Sequence, residues 1–214
     1  MRARRTLPPA LLAALLLAAP LASGEEIDCP RGAALKGAPP PRGIKQWCEQ
    51  EDGTQHGSSI FWYVTGGKKV EAIFSNGVLH GPYREWYESG KPTVEGIYKG
   101  DRKHGVFTSW DAKGKKRRHE EFKNGELHGK SLAWWENGQL ALELTFADGK
   151  RHGPAVTFYR NGQKQAAGEF HKGRYHGEWT GWREDGSVKK KAVFDKGNEL
   201  SRQEFTPPGG AEAD

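Results

Sequence analysis

The sequence predicts an all-β fold: an elongated single-layer antiparallel sheet of tandem β-hairpin repeats. Three periodic features predict it. The dipeptide His-Gly returns every 24 residues, at His56-Gly57, His80-Gly81, His104-Gly105, His128-Gly129, His152-Gly153 and His176-Gly177. Nine residues after each of these glycines stands another: Gly66, Gly90, Gly114, Gly138, Gly162 and Gly186. Aromatic rings occupy the fifth position after the His-Gly glycine (Trp62, Trp86, Trp110, Trp134, Phe158, Trp182) and the seventeenth (Phe74, Tyr98, Phe122, Phe146, Phe170, Phe194). A fixed period with two turn signals per unit marks a stacked array whose units contact only their neighbours. Composition agrees. With 29 Gly, 11% aromatic and only 35% hydrophobic residues, the chain suits many short strands better than a helical bundle.

Residues 1–24 read as an export signal. Arg2, Arg4 and Arg5 precede an apolar run over 10–22, and Ala22-Ser23-Gly24 offers small residues for cleavage. The run is too short to span a bilayer comfortably. Without this segment, which holds three Arg and no acid, the formal charge falls from +6 to +3. So modest a balance describes a solvated surface and gives no ground for nucleic-acid binding. Cys29 follows Ile27-Asp28 rather than a small residue, which argues against a lipidated cysteine.

Residues 25–56 are the expected N-terminal cap. They hold the chain's two cysteines, Cys29 and Cys48, around a loop containing Pro30, Pro39, Pro40 and Pro41. An exported chain meets an oxidising compartment, so a disulfide is the expected pairing. Neither CxxC spacing nor a nearby His supports redox or metal chemistry there. "KQWCEQEDGTQHG" aligns with the second half of a unit, with Gly53 at its late turn, so Cys48 is expected to pin the edge strand.

Residues 57–200 are six repeats. In the fourth, "GKSLAWWENGQLALELTFADGKRH", one strand covers Ser131–Trp135, "ENG" turns, a second strand covers Leu140–Phe146, and "ADGKRH" leads to the next unit. Pro82 and Pro154 lie directly after His-Gly, where a strand begins; Pro92 sits near the start of a second strand. A late glycine marks the twentieth position at Gly77, Gly125, Gly149, Gly173 and Gly197, whereas the second unit reads Gly100-Asp101. Strand alternation places the thirteenth, fifteenth and seventeenth positions together, and the fifth-position rings are expected to join them in a core ladder. The fifteenth is small in four units (Ala72, Gly96, Gly168, Ala192), which lets a neighbouring ring lie down. Glu71, Glu95, Lys69 and Lys191 are expected on the other face. Residues 201–214, ending in "TPPGGAEAD", are expected to form a disordered C-terminal tail.

With this register, "NGVLHGPYREWYESGK" and "DGKRHGPAVTFYRNGQK" resemble the variant MORN repeat, a type also found in YwqK-like antitoxins. The resemblance covers all six units. It implies an elongated single-layer sheet of hairpins that serves as a scaffold or as a surface for protein or lipid.

The six histidines of the His-Gly pairs invite a metal, but stacked units lie about 10 Å apart. Ligands of one zinc lie within about 2.0–2.1 Å of it. No metal site is expected, and each His is expected to cap a turn or pack beside a neighbouring ring at the joint between hairpins. Catalytic residue types fall at periodic or turn positions, and no phosphate-binding glycine loop is present, so neither an enzyme nor a cofactor is expected. Lys113, Lys115, Lys116, Arg117 and Arg118 form one basic run and Lys189, Lys190 and Lys191 another. Alternation splits each run between two faces. Tyr63, Tyr87, Trp135 and Tyr159 form a row at the sixth position, interrupted by Asp111 and Arg183. The row reads either as packing or as a groove for peptide or glycan.

The expected function is an exported, non-catalytic repeat scaffold that binds a protein or envelope partner through its sheet surface. The alternatives are a module for anionic lipid or cell-wall glycan and an antitoxin-like inhibitor of a toxic protein. No oligomeric state follows from the sequence.

Overall fold

The computed structural model describes residues 27–207, so the expected export signal and the last residues of the chain lie outside the described residues. The described residues form one 15-stranded sheet in which every strand pairs antiparallel with its sequence neighbours. The cap supplies β1 (Ala33–Ala38) and β2 (Lys45–Gln50). Six hairpins follow: β3 (Gln55–Trp62) with β4 (Lys68–Ser75), β5 (Val78–Trp86) with β6 (Pro92–Lys99), and β7 (Arg102–Trp110) with β8 (Lys116–Lys123). The other three are β9 (Glu126–Trp134) with β10 (Leu140–Ala147), β11 (Lys150–Phe158) with β12 (Lys164–His171), and β13 (Arg174–Trp182) with β14 (Val188–Asp195). The final strand is β15 (Asn198–Glu204). At about 4.8 Å per strand the sheet measures roughly 70 Å across.

Two turn types alternate. At each hairpin tip the sixth-position residue opens the turn. In the first hairpin the Tyr63 amide donates to Gly67 O (2.8 Å), and the Gly66 amide returns to Tyr63 O (3.0 Å). Gly66 has φ 96°, the left-handed geometry that makes glycine the natural ninth residue. Between hairpins the turn is tighter. Ser75 pairs with Val78 across Asn76-Gly77, whose φ values are 50° and 80°. Both central residues are left-handed, as in a type I′ turn. That accounts for the second unit, where Gly100 (φ 62°) and Asp101 (φ 59°) fill the same two places in the opposite order.

The His-Gly pairs do not form these turns. His80-Gly81 lies inside β5, where His80, Gly81 and Pro82 face the single residue Ile73 between the pairs Ala72–Tyr83 and Phe74–Leu79. This is a β-bulge, and the interrupted ladder tolerates the missing amide of Pro82. Pro92 is the first residue of β6, a permitted place for proline.

The expected face assignment needs correction. Second-position residues stand opposite the fifteenth of their own unit, as in Ser59–Ala72, Tyr83–Gly96 and Phe107–Glu120, so the two share a face. Pairing is continuous from the Gly to the fourth position, so the fifth-position Trp points the other way. The seventeenth-position rings meet second-position rings instead. Tyr98 lies 5.1 Å from Tyr83 and 5.3 Å from Phe107, and Phe107 lies 5.4 Å from Phe122, all edge-on. Trp62, Trp86, Trp110, Trp134, Phe158 and Trp182 are half-buried on the opposite face, beside Glu71, Glu95 and Lys191.

Packing on the ring face depends on paired sizes across each boundary between units. Small residues at the fifteenth position receive large second-position residues: Tyr83 stands against Ala72, Phe107 lies on Gly96, and Trp179 lies on Gly168. Where the fifteenth is large, the next second position is small, as in Glu120–Ser131 and Leu144–Ala155. Ser59, Phe107, Ser131 and Ala155 at the second position and Ala72 and Ala192 at the fifteenth are all buried.

The ends differ from expectation. Cys48 is bonded to Cys29, as expected, but it lies on β2, one strand in from the edge, which is β1. The Cys29-Pro30 segment crosses the sheet above Gly57, where an added Cβ would come 2.5 Å from Pro30. At the other end, β15 pairs with β14 as far as Glu204, with one register shift between Val193 and Phe194, into the stretch expected as tail. Lys196-Gly197 makes the same turn as its counterparts, and the chain beyond it adds a half-repeat to an open edge.

Three outcomes follow for urea unfolding. A Cβ at Gly96 would sit 2.4 Å from the Phe107 ring. Gly96→Ala should therefore cost about 1–3 kcal/mol, and adding Phe107→Ser should recover part of the loss. Lys172 holds φ 49° in its turn. Lys172→Asn should gain about 0.5–1 kcal/mol by relieving that strain. Cys29→Ser/Cys48→Ser opens a loop with a sequence separation of 19 and should cost about 3 kcal/mol.

Candidate binding surface

The sheet offers two long faces and two rows of turns. The ring face carries Phe61, Val70, Phe74, Leu79, Tyr83, Val94, Tyr98, Phe107, Phe122, Leu142, Phe146, Phe170, Trp179 and Phe194, mostly half-buried. No second layer packs on it among the described residues. Two concavities open here. One, of about 370 Å³, lies among Phe61, Lys69, Val70, Ala72, Phe74, Leu79 and Tyr83. Lys69, expected on the opposite face, joins the ring face because the bulge between Phe61–Val70 and Trp62–Lys68 leaves it unpaired beside Val70. The other, of about 310 Å³, lies at the C-terminal end around Tyr175, Trp179 and Phe194. Cations stand over several rings: Lys45 Nζ is 4.5 Å from Trp47, Lys103 Nζ 4.8 Å from Phe107, and the Arg151 guanidinium 4.3 Å from Phe170. Tyr83 donates to Glu85 in a short hydrogen bond. Burial, and then that carboxylate, push the Tyr83 phenol up, and burial also raises Tyr98.

The opposite face is a mosaic. Exposed ion pairs cross it, Lys130–Glu143 at 3.4 Å, Lys191–Glu178 at 3.5 Å and Arg84–Glu71 at 3.7 Å. Pairs this exposed contribute little to stability. Ile97, Val106 and Val193 lie among them, 49%, 44% and 39% exposed.

The sixth-position row takes on a definite structural task. Tyr63 Oη donates to Trp86 O (2.8 Å), Tyr87 Oη to Trp110 O (3.1 Å), Trp135 Nε1 to Phe158 O (3.1 Å) and Tyr159 Oη to Trp182 O (2.9 Å). Each side chain thus fastens its own turn to the fifth-position carbonyl of the next unit. Arg183 does the same with Phe205 O. Asp111 turns inward instead and accepts the amides of Lys113 and Lys115 (3.0 Å each). Those bonds hold its carboxyl below the usual carboxylate range. What this contributes to the folded state is present at neutral pH and is lost as acid protonates Asp111.

His56, His128, His152 and His176 also find partners, whereas the buried Nδ1 of His104 has no hydrogen-bond partner. His56 Nδ1 lies 3.2 Å from the Asn76 amide nitrogen, and His152 Nδ1 3.4 Å from that of Lys172. Each caps the left-handed residue of the turn that leaves its own hairpin. His128 and His176 stand 3.4 and 3.8 Å from Asp148 and Asp195. His171 is not periodic and stands between two joint histidines, its ring 5.0 Å from His152 and 5.7 Å from His176. No group of three or more His, Cys, Asp or Glu among the described residues is arranged to hold a metal ion.

The basic runs are divided as alternation requires. Lys115 Nζ donates to Glu136 O (3.0 Å) and Arg118 to Glu120 (3.2 Å). Lys190 reaches the ring face, whereas Lys191 pairs with Glu178 on the other. The contribution of the second-position rings was hidden in the sequence, because Ser59, Tyr83, Phe107, Ser131, Ala155 and Trp179 share no residue type. Their signal lies only in the size of the partner eleven places before, in the preceding unit.

Three consecutive stretches, residues 79–99, 103–124 and 127–148, match the family described as MORN repeat variant. They coincide with the β5–β10 hairpins and the turns that join them. No curated protein matches the chain.

The sixth-position bridges can be tested singly. Tyr87→Phe and Tyr159→Phe should each lower stability by about 0.5–1.5 kcal/mol, the net worth of one hydrogen bond, in thermal or urea unfolding. At position 111, where no such bridge exists, Asp111→Asn should cost less than either.

Proposed function

With residues 79–148 forming three MORN repeat variants, we propose that the chain is an exported, non-catalytic scaffold that binds a protein or envelope partner along its ring face. One observation carries this reading: an apolar, aromatic face runs the length of a single-layer sheet and has no covering layer among the described residues. Apolar surface of such extent, rimmed by charge, suits an interaction site. The Cys29–Cys48 disulfide supports export, because such bonds persist in oxidising compartments. The periodic polar groups are occupied in holding turns and bridging units, which supports binding rather than catalysis.

Anionic lipid or glycan is the second reading. It draws support from Lys113 and Lys116, exposed at the tip of the β7–β8 hairpin. Antitoxin-like inhibition would be a special case of protein binding.

The test is a pull-down from envelope extract with the mature chain, compared with Val70→Arg and Leu142→Arg, two half-buried ring-face positions. The expected result is one protein recovered in stoichiometric amount with the wild type and with a Lys115/Lys116/Arg117/Arg118→Ala variant, and lost with either arginine variant despite an unchanged β spectrum. Recovery of no protein, with salt-sensitive binding to anionic vesicles that the alanine variant abolishes, would replace this reading with the second.

A further inference from the structure

The alternation of small and large residues on the ring face ends in an exception. The last fifteenth-position residue, Ala192, pairs with Arg202 of β15. Elsewhere a small fifteenth position is overlain by a ring (Tyr83, Phe107 or Trp179); here it meets a guanidinium. Glu199 holds that guanidinium through two bonds of 2.9 and 2.8 Å. The second cleft lies beside this pair, with a volume of about 310 Å³. Ala192 and Gly181 make its floor, so the sheet there is nearly bare of side chains. Its wall is aromatic: Tyr175 stands 4.7 Å from Trp179 at 82° and 5.2 Å from Phe194. The Trp179 indole is fixed by its Nε1 bond to Glu169 O (3.0 Å), while Tyr175 remains 42% exposed.

We propose that this cleft binds one pyranose ring of a neutral saccharide. A pyranose has a C–H face that packs on aromatic rings and a rim of hydroxyls that both donate and accept. The cleft matches both properties, with Tyr175, Trp179 and Phe194 for the face and Lys190, Glu199 and Arg202 for the rim. Its volume sits at the lower end of ligand pockets, about 300–1,000 Å³, which suits one sugar ring. Charge selects a neutral ligand. The cations Lys190 and Arg202 are balanced by Glu199 and by Glu204, 3.5 Å from Arg202, so no net field favours an anion or a cation. An aromatic side chain from a protein would satisfy the wall but leave the polar rim without new partners.

This inference rests on the binding-scaffold reading and assigns a ligand to one end of it. The test titrates the full chain with short neutral oligosaccharides of glucose, galactose, mannose or N-acetylglucosamine, followed by calorimetry and by the Trp179 indole resonance. One series should bind with 1:1 stoichiometry and shift that resonance. Gly181→Leu fills the floor without backbone strain, since Gly181 has no positive φ and its added Cβ would press only on the flexible Lys190 chain, at 3.2 Å, with Gln165 O at an ordinary contact distance of 3.8 Å. It should weaken binding roughly tenfold or more, as should Arg202→Ala, through loss of a well-placed contact. Val70→Arg, in the other groove, should leave sugar binding unchanged. The proposal is overturned if no series binds, if neither cleft variant weakens binding, or if only a Trp- or Phe-bearing peptide occupies the cleft. A protein partner still recovered by the Gly181→Leu chain would show the scaffold reading standing whichever way the sugar result falls.

Discussion

With no second layer over either face of this sheet among the described residues, each ring has to find cover within the sheet itself. That constraint explains most of the structure. A two-layer domain buries side chains against a facing element. Here the cover is the neighbouring strand, and a ring lies down only where the adjacent unit presents Gly or Ala, as Phe107 does on Gly96 and Trp179 on Gly168. The core is therefore a chain of pairwise contacts, one per boundary between units. Its few deeply buried residues, among them Phe107, Ala155 and Ala192, are spread along the sheet rather than gathered in one centre.

Register must be held firmly for such contacts to meet. The two turn types and the bulge at each His-Gly hold it. In the bulge three residues face one, which offsets the second-position residue so that it lands on the fifteenth of the preceding unit. His56 and His152 cap their tight turns, and every sixth-position side chain but Asp111 fastens its wider turn to the next strand's backbone. Residues with the chemistry of a site, such as Tyr63, Trp135 and His56, thus also make the bonds that keep turns and units in step. The distinctive chemistry lies where the period ends, at Glu199 and Arg202.

The period, the hairpins and the open single layer were legible because each depends on a fixed residue at a fixed spacing, and the disulfide because the chain has only two cysteines to pair. Gly66 and its counterparts mark a left-handed turn residue that few other side chains accept. The face of the fifth-position Trp was not legible from spacing alone. The bulged pairing between the fourth and fifth positions, Phe61–Val70 followed by Trp62–Lys68, breaks the simple count between strands. The second-position rings escaped for a different reason: the sheet constrains the combined size of two residues in different units, so neither position shows a pattern by itself. The end of the array was misplaced because β15 has the polar sequence of a tail. Its pairing comes from the backbone edge of β14, which no side-chain pattern announces.

The disulfide lies at one end only. It ties the segment before β1 to β2, and among the described residues nothing comparable closes β15, whose outer edge is unpaired there and whose side chains are exposed along its length. In an array whose units contact only their neighbours, tension applied between the termini meets a clamp at the start of the chain and a peelable strand at its end. The molecule thus has a mechanical polarity. It would yield hairpin by hairpin from the C-terminal side and shorten its usable surface in steps of one unit, while the clamped end held its shape longest.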